Sequence, residues 1–326
     1  MNLPEWLVEQ GIGEDSAICM AAGQLVAARI DWPGALGCGQ VEDVVLVSRV
    51  RGTPRGRARF ASGEEALVDR LPGDFSEGAT IRLEVRRPQL SERGRTKLAQ
   101  ARPTHLAPRP APRLAEALAE CGEQVRVVRK FPGGEWEDIW VEAWSGTVEF
   151  AGGSLLFSTT PAMTLADIDG TLGPRALAIA SVEPLANAFR RFDLGGSLGI
   201  DFPTLEAKGD RRAVDEALES ALADWPHERT AMNGFGFVQI VARLERPSLL
   251  HRIGQHRVGA ATRLLLRRAE HVEQPGALLL TCHPALKARL RPEWLDQLAR
   301  RTGREIRTAR DPGLAIEAGF AQAVPL

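Results

Sequence analysis

Closely spaced glycines and prolines limit the first third of the chain to short strands. Between residues 40 and 100, the segment 44–50 is apolar and β-branched. The segment 80–86 alternates, with apolar side chains on one face and charged side chains on the other. Short strands with this punctuation are typical of a small β-barrel. The run 102–113 contains four prolines, which predicts an extended spacer after the barrel.

The rest of the chain mixes helical and strand patterns. We expect strands over 163–168 and 198–202, and amphipathic helices over 177–192 and 210–225. From residue 257 onward, helix and strand patterns alternate, which predicts a separate small α/β unit. The fold class expected from these patterns is α/β.

Cysteine usage and hydropathy exclude several classes of protein. The four cysteines stand alone in the sequence, which argues against a disulfide scaffold and against a zinc site built on CxxC pairs. The first residues have neither the basic nor the apolar region of a signal peptide, and no apolar run approaches the roughly 18–20 residues that span a bilayer. We therefore expect a reduced, cytoplasmic protein without a membrane partner.

Charge is unevenly distributed along the chain. The formal net charge is −1, yet residues 48–102 carry 13 basic and 7 acidic side chains, and residues 243–310 carry 15 basic and 6 acidic. The two blocks are thus +6 and +9, and the remainder is −16. Such segregation is typical of nucleic-acid binding. An ordinary solvated surface has the same composition, so charge alone leaves both interpretations open.

Three aspartates end two predicted strands. Asp167 and Asp169 are two residues apart on a strand, so they point to the same side, and Asp201 ends the strand at 198–202. If the two strands are neighbours, the carboxylates form an oxygen site suited to Mg²⁺ or Mn²⁺. Bound metal can activate water for attack on a phosphoryl group. The alternative is that Asp-Ile-Asp before Gly170 is a turn or a cap.

Three stretches taken together resemble the ribonuclease E/G family of bacterial endoribonucleases. They are PAMTLADIDG at 161–170, FDLGGSLGIDF at 192–202 and MNGFGFVQIVARLERPSLL at 232–250. Their order and approximate spacing are similar to those of the family. Weaker similarity extends to 44–98, which looks like a shortened S1-type barrel of the OB class, and to 257–324, which resembles the family's small C-terminal domain.

The resemblance implies a domain organisation. It implies an RNase H-like catalytic domain, an inserted S1-like RNA-binding barrel and a small C-terminal α/β domain. The corresponding ranges are 1–38 and 103–250 for the catalytic domain, 39–102 for the barrel and 251–326 for the C-terminal domain.

The same resemblance implies a metal-dependent mechanism. Asp167 and Asp201 match the family's two metal-binding aspartates, which would hold Mg²⁺, with Mn²⁺ as an alternative. The metal would orient and activate a water for attack on a phosphodiester of RNA. Asp169 takes the place of an asparagine that steadies the first aspartate, and we count it as a third catalytic residue.

Candidate RNA-binding residues also follow from the resemblance. In the barrel, Phe60 matches an aromatic residue that stacks on bases. The remaining candidates are basic or polar, and they are Arg93, Arg95, Lys97, Asn233 and Arg243.

Several departures from the family pattern change what is expected of RNA contacts, 5′-end sensing and zinc binding in this chain. Gly234 stands where the family has an arginine. Residues 114–135 are too few for the subdomain that senses a 5′-monophosphate. The paired cysteines of the family's zinc link between protomers are missing. We therefore expect no zinc and, if the chain forms a homodimer, a dimer without a zinc link.

The predicted function is a Mg²⁺-dependent endoribonuclease of RNA processing or decay without 5′-monophosphate sensing. One alternative is a degenerate relative that binds RNA and cuts nothing. A further alternative is a nuclease of the same fold that acts on DNA.

Overall fold

The N-terminal strands form a sheet of their own. The computed structural model describes residues 4–92 and 95–326. Strands β1 (Glu5–Gln10), β2 (Asp15–Ala21) and β3 (Gln24–Asp31) form an antiparallel meander. A later strand joins this sheet in parallel beside β1, so it has four strands.

The next strands form a closed barrel, as the short-strand pattern predicted. The bounds are β4 (Val41–Val50), β5 (Arg55–Arg59), β6 (Glu65–Val68), β7 (Thr80–Arg87), β8 (Leu90–Glu92), β9 (Arg95–Lys97) and β10 (Ala99–Pro103). The barrel order is β10-β6-β5-β4-β7, and β8 pairs with β9 as a separate hairpin. The alternation in β7 places Ile81, Leu83 and Val85 in the barrel core. A closed five-stranded barrel at this position fits an S1/OB insertion.

The central part of the chain builds a six-stranded mixed sheet. Three elements precede this sheet in the chain, namely α1 (Leu114–Glu120), β11 (Val125–Val128) and α2 (Glu135–Ser145). The sheet and its helices then follow as β12 (Thr147–Phe150), β13 (Gly153–Thr159), β14 (Thr164–Gly170), α3 (Pro174–Arg191), β15 (Gly196–Asp201), α4 (Lys208–Ala221), β16 (His227–Arg229) and β17 (Phe237–Ala242). The strand order is β12-β13-β14-β15-β17-β16. β14 and β15 run parallel, and their neighbours run antiparallel. β11 is the fourth strand of the N-terminal sheet.

The N-terminal sheet and the six-stranded sheet share one core. Helix α3 contacts β3 as well as β13 and β14. Leu7 and Ile18 of the N-terminal sheet belong to the same buried cluster as Leu155 and Ile200 of the six-stranded sheet. The predicted catalytic domain therefore contains two separate sheets around one core. How the chain divides into the four predicted domains stays a prediction.

The C-terminal part is a small α/β unit with its own core. It follows a π-helical turn, Leu250–Gly254, and ends with a 3₁₀ turn, Ile316–Ala318, before the last strand. Its elements are α5 (Arg257–Glu270), β18 (Ala277–Cys282), α6 (Pro284–Lys287), α7 (Pro292–Thr302), β19 (Ile306–Arg310) and β20 (Phe320–Val324). The sheet order is β19-β18-β20, and leucines of α5 and α7 pack against β18. Across the part of the chain that the structure describes, no helix is both long enough and apolar enough to cross a bilayer.

Candidate functional site

Asp167 and Asp201 lie opposite each other on adjacent strands. β14 and β15 pair in parallel with Asp167 in register with Asp201. Neighbouring strands lie about 4.8 Å apart, so the two Cα atoms are separated by roughly that distance. Alternation along both strands turns Ile168 and Ile200 into the core, whereas both aspartate side chains are exposed on the opposite face. The structure therefore brings these two predicted site residues together.

A glycine lets an aromatic ring lie beside the aspartates. Gly199 precedes Asp201 by two residues on the same face of β15. A Cβ at this position would lie 2.5 Å from the Phe237 ring and 2.8 Å from Leu165. Phe237 is itself the register partner of Asp201 on β17. Because Gly199 has no side chain, Phe237 and Leu165 pack together there and form an apolar surface next to the carboxylates.

Asp169 lies at the rim of the site. It is two residues beyond Asp167 on β14, and β15 ends at Asp201, so the β14–β15 pairing ends before Asp169. Its side chain is exposed, and Oδ1 accepts a hydrogen bond of 2.9 Å from the backbone N–H of Gly170. Asp169 still pairs with Ser154 of β13, so Asp-Ile-Asp belongs to a strand and not to a turn or a cap.

The carboxylate pair forms no ion pair with the residues that the structure describes. Among residues 4–92 and 95–326, no basic side chain forms an ion pair with Asp167, Asp169 or Asp201. Within the same residues, no group of three His, Cys, Asp or Glu side chains is arranged to hold a metal ion. Two adjacent carboxylates repel each other, and a divalent cation would remove that repulsion. Mg²⁺ commonly binds through one or two carboxylates together with waters and substrate phosphates, so the two residues fit this ion.

Asn233 organises the turn that precedes β17. Its Oδ1 accepts hydrogen bonds from the backbone N–H groups of Phe235 (2.9 Å) and Phe237 (3.1 Å). The N–H of Phe202, the residue after Asp201, donates to the carbonyl of Gly236 in this turn (3.1 Å). The carboxamide oxygen of Asn233 is therefore committed to the fold, and only its amide group is left for an RNA contact.

The same turn exposes an aromatic ring that is not among the predicted RNA-binding residues. Phe235 is 82% exposed, two residues before the register partner of Asp201. An open aromatic face is suited to stacking on a nucleobase. The available sequence signal was an aromatic residue between two glycines, Gly234 and Gly236, in a chain with few aromatic residues.

The predicted stacking role of Phe60 is wrong in this structure. Phe60 is 3% exposed and belongs to the barrel core with Leu46 and Val68. It directly follows β5, where the alternation turns it inward. A ring covered by neighbouring side chains has no face to offer to a base.

The other predicted RNA contacts are scattered. Arg93 lies outside the described residues, and for Arg95 the structure describes only the backbone, in β9. Lys97 is half-buried at the end of β9. Arg243 is exposed and pairs with Glu245 (3.3 Å). It follows the end of β17 that is farthest from Asp201, roughly 20 Å along the strand at 3.3 Å per residue.

Ion pairs within the barrel account for part of the first basic block. Arg57 and Arg59 both pair with Glu65, and Arg102 pairs with Asp69 (2.8 Å). These basic side chains therefore have acidic partners on the same surface. At these positions, the charged residues of the barrel behave as an ordinary solvated surface and not as a nucleic-acid-binding surface.

These features define a mixed α/β chain with an S1/OB-like barrel and a paired-carboxylate site at the end of two parallel strands. No protein-family model matches the chain. Ribonuclease G of Escherichia coli K12 is 33% identical to it over an alignment of 113 residues, which covers 31% of this chain and 23% of that protein. Ribonuclease G of Shigella flexneri and that of Salmonella typhimurium SL1344 match to the same extent. The match thus spans about a quarter of the length of these curated relatives, and it relates about a third of this chain to ribonuclease G.

Proposed function

We propose that the chain is a metal-dependent endoribonuclease that hydrolyses phosphodiester bonds in RNA, in RNA processing or decay. The observation that carries the proposal is the register pairing of Asp167 with Asp201 on the exposed face of the sheet. The partial relationship to ribonuclease G supports RNA as the substrate. An RNase H-like architecture for the catalytic region is part of the proposal, and the carboxylates on adjacent parallel strands support it.

Within this proposal, the three aspartates have different roles. Asp167 and Asp201 would hold Mg²⁺, or Mn²⁺ in its place, and an ion bound there supplies Lewis-acid stabilisation of phosphoryl charge and lowers the pKa of a coordinated water. Asp169, at the rim, keeps its carboxylate oriented through Gly170 and adds negative charge beside the site. Phe235 holds a base of the strand near the aspartates. The barrel surface and the amide group of Asn233 supply further RNA contacts.

Two finer statements belong to the same proposal. We place the enzyme in the cytoplasm and assign it no 5′-monophosphate sensing, because residues 114–135 leave little chain for a sensor subdomain. α1, β11 and the start of α2 already account for most of that segment. If the chain dimerises, we expect an assembly without zinc.

A second candidate function is a catalytically degenerate RNA-binding protein. The observation that favours it is that the described residues contain no cluster of three metal-capable side chains. Two carboxylates alone bind a hydrated cation weakly unless the substrate adds its own oxygens. The two candidates therefore differ in whether bound RNA is cut.

Cleavage of a fluorescent RNA, with Mg²⁺ or with EDTA, tests the proposal. We expect the wild-type protein to cut only with Mg²⁺ and both Asp167→Asn and Asp201→Asn to be inactive. Asp296→Asn, an exposed position on α7, is the matched control and should cut normally. Cleavage that survives both site substitutions contradicts the assigned site, whereas binding of intact RNA by the wild-type protein supports the second candidate. A matched single-stranded DNA tests the choice of nucleic acid.

A further inference from the structure

A basic cavity lies between the C-terminal unit and the N-terminal sheet, away from the aspartates. Its volume is about 550 Å³. Its wall carries four arginines and two tryptophans, namely Arg257, Arg263, Arg289, Arg291, Trp32 and Trp294. None of the described residues that line it has a carboxylate side chain. We call this cavity the arginine pocket.

Aromatic rings and backbone carbonyls hold the central arginine of the arginine pocket. The Arg263 guanidinium lies 3.9 Å from the ring centre of Trp32 and 4.9 Å from that of Trp294. Its Nε donates to the carbonyl of Gly13 (2.7 Å), and Nη1 donates to the carbonyl of Gly259 (3.0 Å). Nη2 has no partner among the residues that the structure describes. The guanidinium is thus preorganised and still has donors to offer.

Two exposed arginines just before α7 have no acidic partner in the part of the chain that the structure describes. In the described part of the chain, neither Arg289 nor Arg291 forms an ion pair. Arg291 lies 4.9 Å from the ring centre of Trp294. Elsewhere on this molecule exposed arginines commonly pair with a carboxylate, as Arg82 does with Asp43. Unpaired guanidinium groups around one cavity are suited to binding a phosphate oxygen.

The cations of the arginine pocket also repel one another. Burial, reinforced by the charges of Arg252, Arg291 and Arg289, lowers the pKa of Arg263 to about 10. Burial and three neighbouring arginines likewise lower the pKa of His256. The acidic group that opposes this effect at Arg263 is Glu14, whose own pKa is raised by burial. A bound anion would remove the repulsion that the protein leaves uncompensated.

The arginine pocket is connected to the strand that carries Asp167. Gln255 lines the pocket and donates from Nε2 to Oγ1 of Thr159 (2.6 Å), the last residue of β13. Thr159 pairs with Thr164, and Asp167 is three residues further along β14, about 10 Å at 3.3 Å per residue. Thr159 shares the core face of β13 with Phe157, whereas Asp167 faces outward, so the arginine pocket and the carboxylates lie on opposite faces of the sheet.

We propose that the arginine pocket binds a phosphate of the RNA strand and anchors the substrate at a second place, away from the carboxylate pair. Arg263, Arg289 and Arg291 supply the charged donors, and Trp32 and Trp294 hold the guanidinium groups in place. The inference rests on the proposed function only in taking RNA as the ligand. The phosphate belongs either to an internal phosphodiester or to a 5′ end.

The test compares RNA binding by pocket variants in EDTA, where no cleavage occurs. Fluorescence anisotropy with a 3′-labelled RNA gives the dissociation constant for the wild-type protein, for Arg289→Gln/Arg291→Gln and for Arg300→Gln. Arg300 is an exposed arginine on α7 that does not line the arginine pocket, so it is the matched control. Exposed arginines without partners can be replaced without loss of folding, which a thermal melt checks.

We expect the double variant to bind RNA at least tenfold more weakly and the control to bind within twofold of wild type. The slope of log K against log salt should fall by about 0.7, because one phosphate contact on a single strand contributes roughly 0.7. Inorganic phosphate should also raise the melting temperature of the wild-type protein more than that of the double variant. Double-variant binding equal to wild type, an equal loss in Arg300→Gln, or no RNA binding by the wild type overturns the inference.

Two further comparisons separate the sources of the phosphate and the two proposals. An RNA with a 5′-phosphate and its 5′-hydroxyl counterpart bind equally if the phosphate is internal. A pocket-dependent preference for the 5′-phosphate assigns the 5′ end and contradicts the proposal that the protein does not sense a 5′-monophosphate. If the wild-type protein binds RNA through the arginine pocket but does not cut it, the proposed nuclease activity is contradicted and the proposed phosphate site is supported. If it cuts and the double variant binds normally, only the pocket fails.

Discussion

Asp167 lies directly across a parallel strand pair from Asp201, although 34 positions separate them in the chain. The isoleucine adjacent to each aspartate, Ile168 in β14 and Ile200 in β15, points into the same core. The core therefore determines the direction of the two carboxylates. The relationship between these aspartates is the basis of the first prediction.

Magnesium should stabilise the wild-type protein and not the Asp201→Asn variant. The bound ion favours the folded state, and a concentration of ten times the dissociation constant adds about 1.4 kcal/mol to the free energy of unfolding. Thermal melts with Mg²⁺ and with EDTA measure the effect. Asp296→Asn controls for the loss of one exposed carboxylate. An equal Mg²⁺ effect on all three proteins would show that the ion binds elsewhere.

Gly199→Ala should destabilise the protein and reduce cleavage. The added methyl group meets the Phe237 ring at 2.5 Å and Leu165 at 2.8 Å, and overpacking of this kind costs about 1–3 kcal/mol. Gly209→Ala in α4 is the control, because a Cβ there meets no atom within 4 Å. The control should change stability little, because Gly209 is the second residue of α4 and the full propensity gain applies only in a helix interior. Chemical denaturation measures both, and an unchanged Gly199→Ala protein would mean that the ring moves aside freely.

Phe235→Ala should weaken RNA binding without lowering stability. Loss of a stacking face costs about 1–3 kcal/mol per base, which corresponds to roughly 5- to 150-fold in the dissociation constant. Phe235→Trp should retain binding. Val241→Ala removes another exposed apolar side chain from the same sheet and should have little effect on RNA affinity. Titration of each protein with labelled RNA in EDTA measures the dissociation constants. Equal binding by Phe235→Ala and Val241→Ala would show that the Phe235 ring does not contact RNA.

Glu14 should make stability fall as pH rises through the weakly acidic range. Burial raises the pKa of Glu14 above its usual 4.5, and hydrogen bonds from Trp32 and Ser16 only partly offset this effect. Above pH 4.5 the unfolded chain releases this proton first, so the contribution of Glu14 to the unfolding free energy decreases until pH passes the folded-state pKa.

Glu14→Gln removes the titration and keeps an acceptor for Trp32. The unfolding free energy of wild type minus variant should therefore be smaller at pH 7 than at pH 4. Glu273→Gln, at an exposed position, controls for the loss of a carboxylate. Urea denaturation across this pH range measures the difference. A difference that grows with pH would show that the charged form of Glu14 is the one stabilised by Arg263.

Local patterns were sufficient for several of the elements and for the faces of their strands, but they did not predict helix α2. The alternation in 80–86 predicted which side chains fill the barrel, because a strand turns successive residues to opposite faces. The same rule placed Asp167 and Asp169 on one side of a strand end. The apolar periodicity of α3 predicted its buried stripe.

The structure was needed wherever distant segments meet. It was the fold that covered Phe60, because the closure of five strands leaves no open face inside a small barrel. It also paired β11 with β1, giving the N-terminal strands their own sheet, and exposed Phe235 through a turn held by Asn233.

The amino-acid sequence by itself determined the short-strand barrel, the carboxylates at two strand ends and the two basic blocks. Tertiary structure alone decided that Asp167 faces Asp201 and that Arg263 lies between Trp32 and Trp294. The reason is physical. Side-chain periodicity is a property of neighbouring residues, whereas strand register and the contacts around a cavity depend on how separate elements bury their apolar faces together.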